Sequence, residues 1–399
     1  MRILAHSWKM LRLLPDHLSR LPAPSAEAAA HSTRLVERIR ADIAAAGGWL
    51  DFARFMDLAL HAPGLGYYSA GTDKFGAGGD FVTAPELGAL FAQTLARQAA
   101  QILRMDVPEI VECGAGSGRL ACDLLAALAA LDCLPQRYRI LETSADLRAR
   151  QQARLARELP QLVGRVEWLD ALPPRLDALV IANEVLDAMP VHLVTTRHGA
   201  LAELGVVAGD DGGFGWATRE AAGAVRADAQ ALELAPGYTT EIGLAARAFA
   251  STLAGALGRG VALLVDYGFP AHEYYHPQRS EGTLMCHYRH HAHADPLCLV
   301  GLQDITAHVD FSAVATAAVD AGAELLGYTG QSQFLVNCGI TDVLSAVAPT
   351  DPAYFRLAAQ AQKLLSPAEM GELFKVMAIG RGIDAPLLGF AQGDRSHRL

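Results

Sequence analysis

A strand-like run, Val111-Glu112-Cys113, passes directly into Gly114-Ala115-Gly116-Ser117-Gly118 and then into a helical stretch. Glycines at such a junction let the backbone turn tightly and approach a ligand closely, with a helix N-terminus behind it. The spacing is G-x-G-x-G, with Glu112 two positions before the first glycine. A dinucleotide fingerprint is G-x-G-x-x-G, so the third glycine falls one residue early for a nicotinamide cofactor. Glu142 ends the second apolar run, where a carboxylate commonly accepts hydrogen bonds from a ribose diol. Together these residues point to a nucleotide-type cofactor. A further polar group, Asn183, Glu184 and Asp187, follows the fourth apolar run. In an open sheet that loop lies beside the cofactor crevice, although Asp187 could equally cap the next helix and Glu184 could be a solvated turn residue.

The elements that must position these residues alternate. Short apolar runs at Ile110–Cys113, Tyr138–Leu141, Val166–Leu169 and Ala178–Ala182 are separated by helical stretches reaching Leu131 and Leu159. This rhythm predicts a parallel α/β sheet with helices on both faces. Further strands are expected at Val261–Asp266, Ala323–Tyr328 and Phe374–Ile379, and a turn or hairpin excursion over Gly205–Gly223. The chain divides into a loose, proline-broken leader (1–33), an N-terminal helical unit (34–104), the sheet-forming core (105–382) with insertions near 195–240 and 269–311, and a polar tail (383–399).

Further blocks narrow the reading. Pro63-Gly64-Leu65-Gly66-Tyr67-Tyr68-Ser69 and Gly79-Asp80-Phe81-Val82-Thr83-Ala84-Pro85-Glu86 precede the glycine turn, and Ala182-Asn183-Glu184-Val185-Leu186-Asp187-Ala188-Met189-Pro190-Val191-His192 follows the fourth strand. Asp266-Tyr267-Gly268, Asp304 to Phe311, Gln331 to Leu335 and Phe374 to Met377 come later. In this order the blocks resemble the MidA family of class I (Rossmann-like) S-adenosylmethionine-dependent methyltransferases, which includes a mitochondrial complex I assembly factor that methylates arginine on a partner protein. The likeness runs from about Trp49 to Gly380. Ala115 stands where the family usually has proline, which loosens the turn and leaves its glycines in place.

The resemblance implies a class I sheet with an N-terminal helical unit, insertions after the fourth and fifth strands, and an antiparallel edge pair among the closing strands. It implies S-adenosylmethionine as cofactor, held by Glu112, Gly114, Gly116, Gly118 and Glu142, with Asp80 and Thr83 on a segment folded over the cofactor mouth. Asp170 is a candidate partner for the adenine amino group, or a loop-starting residue before Pro173-Pro174. Thr83 could instead cap a helix with Glu86 completing the box. If the acceptor is an arginine, possibly on a respiratory complex I subunit, its guanidinium arrives protonated. Glu184 and Asp187 would then fix and polarise it, with Asn183 orienting the acceptor or the methionine moiety and His308 and Asp310 closing the acceptor side. A non-catalytic assembly chaperone that keeps the pocket is the alternative from a different class, and a nicotinamide oxidoreductase is a third.

Composition excludes several other classes. The chain has 399 residues, 51% of them hydrophobic, which is enough for a large core. A net charge of −10, with a basic set that is nearly all arginine, speaks against a nucleic-acid partner. Six cysteines lack any C-x-x-C pair, which fits a reducing cytoplasm. No apolar stretch is long enough to span a membrane. The start, broken by His6, Lys9 and Arg12, is no signal peptide; its basic amphipathic character would also suit a mitochondrial transit peptide. Cys286-His287-Tyr288-Arg289-His290-His291-Ala292-His293 lacks a second ligand cluster, so a solvated loop is expected there and no metal site.

Overall fold

The computed structural model describes residues 21–69, 83–197 and 200–399. Its central sheet contains β1 (Glu109–Cys113), β2 (Arg137–Leu141), β3 (Val166–Leu169), β4 (Leu176–Asn183), β5 (Leu257–Phe269), β6 (Glu324–Gly330) and β7 (Phe374–Arg381). Across the sheet the order is 3-2-1-4-5-7-6. Strands β1 to β5 pair in parallel, and β7 runs antiparallel to both β5 and β6. A two-residue strand, Val309–Asp310, extends the end of β5 in parallel.

The helices relevant to the site are α1 (Ala26–Ala45), α2 (Phe52–His61), α3 (Ala89–Leu103), α4 (Arg119–Ala130), α5 (Ala145–Glu158), α6 (Leu244–Ala256) and α7 (Phe311–Asp320). Alternate side chains of a strand face opposite sides of its sheet, and here both sides are covered. Leu179, Ile181, Leu263 and Val265 pack with α3 and α4. Ala178, Val180, Ala182, Ala262 and Leu264 pack with α6 and α7. This is why the central strands read as unbroken apolar runs rather than alternating ones.

A second core lies beside the first. Leu35, Ile39 and Ile43, spaced one helical turn apart on α1, join Phe52, Phe55 and Met56 of α2 against an antiparallel sheet. That sheet takes Leu50–Asp51, Ala200–Ala208, His192–Arg197, Thr239–Ile242 and Phe214–Glu220. Cys286 and Ile305, from a three-stranded sheet inserted after β5, close the same core. The N-terminal region therefore splits: α1 and α2 build this second lobe, whereas α3 belongs to the main core.

Three sequence expectations are corrected. The first helix starts at Ala26, not near Arg34, because the Ser25 hydroxyl accepts the Ala28 N–H and the alanines after it favour helix. Residues 383–399 are no polar tail, since Ile383, Leu387 and Phe390 are buried and the Phe390 ring lies edge-on to Phe334 at 5.5 Å. The histidine tract is a hairpin and not a loop: Met285–Tyr288 pairs with His291–His293, and His293 is buried. Among the described residues no group of histidines, cysteines and carboxylates could hold a metal ion.

Candidate active site

The turn after β1 uses glycine where no other residue fits comfortably. Gly114 and Gly118 have φ of +65° and +78°, a left-handed conformation that side chains resist. A Cβ on Gly114 would also stand 3.2 Å from Val185, and one on Gly118 would stand 3.2 Å from Gln151. The turn opens the floor of a cavity of about 380 Å³, lined by Gly114, Ala115, Gly116, Ser117 and the first residues of α4. One wall comes from Glu112, Leu141, Glu142 and Leu147, and the opposite one from Asn183, Glu184, Val185 and Asp187. His61 and Tyr68 of the second lobe, with Thr83 and Glu86, complete the lining.

Each carboxylate on the cofactor side is held in place. Glu112 is buried and accepts the Tyr138 hydroxyl at 2.7 Å; burial pushes its carboxyl up to about 7 despite that bond. Glu142 accepts the Ser144 N–H at 2.8 Å on one oxygen and the Gln151 amide at 3.1 Å on the other. Burial still raises it above the ordinary glutamate range. Glu86 is bonded to Ser117. Thr83 occupies a helix N-cap position without a side-chain hydrogen bond, so the capping box weighed for Thr83 and Glu86 does not form.

The loop after β4 is the other half. Glu184 has φ +54°, a conformation seldom adopted outside glycine, asparagine and aspartate, while its N–H donates to the Val265 carbonyl at 2.8 Å. Its Oε1 accepts the Asn183 amide at 3.1 Å and the Ala84 N–H at 3.4 Å. Desolvation, then the nearby Asp187 charge, push the Glu184 carboxyl up to about 8. Asp187 is buried, and its Oδ2 accepts the Tyr267 hydroxyl. Burial raises its carboxyl too, against that bond. Among the described residues, Asp187 Oδ1 and Asn183 Oδ1 are buried acceptors with no donor.

Asp266 holds this loop from behind. Fully buried at the end of β5's apolar run, it accepts the N–H groups of Val185, Leu186 and Asp187 on one oxygen and that of Tyr267 on the other. Burial, with Asp187 and Glu184 nearby, raises its carboxyl strongly. The second lobe contributes Tyr68, whose hydroxyl donates to Asp304 Oδ1 at 2.8 Å. Roles for Tyr68, Tyr267 and Asp304 were not foreseen from their types; the signal available was an acidic residue interrupting a buried strand at Asp266.

Three expected site residues stand elsewhere. The Asp170 side chain is 90% exposed, paired with Arg148 at 2.7 Å, and is not among the residues lining the cavity. Asp310 caps α7 through the Ala313 N–H and accepts the Tyr275 hydroxyl; with His308 it lines a separate cavity of about 180 Å³ on the far side of Leu186. Val309 pairs with Gly268 at the end of β5, which fixes this segment at that second cavity. His308 lies stacked on Phe269 at 5.3 Å, with burial lowering its pKa to about 4. Asp80 lies outside the described residues.

A parallel sheet ordered 3-2-1-4-5-7-6 with an antiparallel β7, carrying a glycine cradle after β1 and a carboxylate after β2, defines a class I methyltransferase. Residues 91–329 match the family model described as S-adenosyl-L-methionine-dependent methyltransferase. The chain is 54% identical to a Burkholderia thailandensis protein crystallised bound to S-adenosyl-homocysteine, with a TM-score of 0.92, covering 95% of this chain and 100% of that one. It is 29% identical over 411 residues to "Protein arginine methyltransferase NDUFAF7 homolog, mitochondrial" of Drosophila melanogaster, covering 93% of this chain and 91% of that protein. With the Mus musculus protein arginine methyltransferase NDUFAF7 it shares 28% over 369 residues, 83% and 81% of the two chains. The chain belongs to the MidA family of class I S-adenosylmethionine-dependent methyltransferases. Its cofactor is S-adenosylmethionine, and the side-chain-free turn at Gly114 and Gly116 and the carboxylate of Glu142, all lining the cavity, suit close approach by that molecule and its ribose diol. No helix among the described residues is long and apolar enough to cross a membrane.

Proposed function

We propose that the chain transfers methyl groups to arginine side chains of a partner protein, and that this partner is a respiratory complex I subunit. The observation that carries the reading is the pair of buried acceptors without donors, Asp187 Oδ1 and Asn183 Oδ1, on the wall shared with Glu184. Buried acceptors call for donors, and a guanidinium supplies five N–H groups in a planar fork. Carboxylates dominate the titratable lining, and the cavity's guanidinium, Arg119, is already paired with Asp123 at 2.6 Å. A cation is what the site is short of. The Drosophila and mouse relatives, both named as protein arginine methyltransferases, support arginine, and the family resemblance supports complex I.

When bound, S-adenosylmethionine supplies an electrophilic methyl on a sulfonium. The protein's work is then largely positioning and exclusion of water. Glu184 and Asp187 orient the guanidinium and concentrate electron density on the attacking nitrogen. Asp187, through the oxygen not bonded to Tyr267, receives the proton that nitrogen loses on methylation. Tyr267 and Asp266 keep Asp187 aimed while this happens. The cofactor site is read as Glu112, Gly114, Gly116, Gly118, Glu142 and Thr83. The compartment we propose is a bacterial-type cytoplasm, in keeping with six free cysteines and a bacterial relative at 54% identity.

The test offers the protein and labelled cofactor to a lysate from cells lacking it, with mass spectrometry of the labelled residue. Label on arginine is expected. Label confined to lysine, carboxylates or small molecules would overturn the acceptor assignment, and no label with retained assembly function would favour a chaperone.

A further inference from the structure

Leu147, Gln151 and Leu155 form one stripe of α5 at four-residue spacing, and Gln151 within it is fully buried. An amide taken out of water is costly unless all its groups are bonded. Each is accounted for. The Trp168 indole N–H donates to Gln151 Oε1 at 2.9 Å. Gln151 Nε2 donates to the Gly116 carbonyl at 2.9 Å and to Glu142 Oε2 at 3.1 Å. An indole can only donate, so it fixes which end of the amide faces it and leaves both amide hydrogens pointing at the glycine turn and Glu142.

We propose that Gln151 is a positioning residue for the cofactor: anchored by Trp168 and by the Gly116 carbonyl, it sets the orientation in which Glu142 meets the ribose diol. Two elements that must act together, the turn after β1 and the carboxylate after β2, share no direct side-chain bond here and are joined through this amide. The Ser144 N–H fixes the other Glu142 oxygen, so the carboxylate plane has two anchors from α5 and its N-cap. A carboxylate has about four acceptor sites, so both anchors leave room for a hydroxyl donor. The turn also rests directly on this residue, since a Cβ on Gly118 would meet Gln151 Cγ at 3.2 Å and Cα at 3.3 Å. This inference rests on the cofactor assignment and not on the arginine reading.

The experiment measures S-adenosylhomocysteine affinity by calorimetry on the full chain, with melting temperature recorded in parallel. Gln151→Met keeps volume and removes the amide; we expect affinity about tenfold weaker. Glu142→Ala should weaken binding at least as much, and the double variant should bind no more than about threefold worse than Glu142→Ala alone, because one residue acts through the other. If Gln151→Met proves unstable, Trp168→Phe tests the same chain of bonds by freeing the amide to flip, with a loss of about threefold expected. Wild-type affinity in Gln151→Met, or losses that simply add in the double variant, would overturn the proposal while leaving Glu142 in its role. Wild-type affinity in Glu142→Ala would remove the ribose role of Glu142, and this proposal with it.

Discussion

Glu184 is held in a left-handed backbone conformation that costs a residue of its size roughly 1–3 kcal/mol, and such strain persists where surrounding bonds over-determine it. The Val265 carbonyl, Asn183 and Ala84 provide that restraint. Glu184→Gln keeps the shape and removes the charge, so transfer should fall by about a hundredfold or more while cofactor affinity changes by less than about threefold. Equal losses in both would make Glu184 a structural residue. Because burial and the Asp187 charge push its carboxyl up to about 8, kcat/KM for transfer should rise with pH up to that region and then level off. A flat profile between about pH 6 and 9 would deny it a role as a carboxylate. At Gly114, valine would need a left-handed backbone and would press on Val185, so Gly114→Val should abolish cofactor binding in a folded protein; calorimetry decides.

At the level of elements, the loop after β4 has no regular structure of its own and is shaped from β5 by one carboxylate. Asp266→Ala would orphan three consecutive N–H groups, those of Leu186 and Asp187 buried, and we expect about 3 kcal/mol or more of lost stability together with lost transfer, read by denaturant titration. Cofactor affinity that survives in folded Asp266→Ala would confirm that the β1 turn and the β4 loop are separable halves. That division also explains what the sequence disclosed. The half around the β1 turn is a local strand-turn-helix, so the grouping of Glu112, Gly114, Gly116 and Glu142 at one cavity was legible from spacing within about thirty residues, while Gly118 shapes the turn without lining that cavity. The half around the β4 loop gathers Tyr68, Glu184, Asp187, Tyr267 and Asp304 from distant segments, and no local pattern reports that convergence. Asp170 and Asp310 misled because an aspartate after a strand looks alike whether it faces a ligand, an arginine or a helix N-terminus. Gln151 was hidden for another reason: a single polar residue in an amphipathic stripe reads as a flaw in the pattern until its three partners are seen.

For the whole molecule, acidic groups kept protonated by burial make stability depend on pH. Glu112 and Glu184 hold protons in the folded protein, up to about 7 and about 8, that the unfolded chain has released by then. The folded state thus binds more protons, and their contribution, complete below pH 4.5, is lost as pH rises through those values. The melting temperature of the cofactor-free protein should fall from pH 5 toward pH 8, and a Glu112→Gln, Glu184→Gln double variant should show a shallower slope. Identical slopes would mean that neither group is protonated in the native state.

The pairing of Leu50–Asp51 with Gly205–Val206 has a consequence for the nascent chain. Phe52, Phe55 and Met56 leave the ribosome some 150 residues ahead of Leu204 and Val206, against which they pack. At about 5–20 residues per second that is a wait of roughly 7–30 s with an aromatic helix face uncovered. The methyltransferase sheet meanwhile receives β1 to β4, so the first lobe to begin synthesis is not the first that can finish folding. A chain halted near residue 190 should therefore carry a sheet-forming segment with a bare α2, and should bind hydrophobic chaperones in translation far more strongly than the same arrest with Phe52 and Phe55 changed to serine.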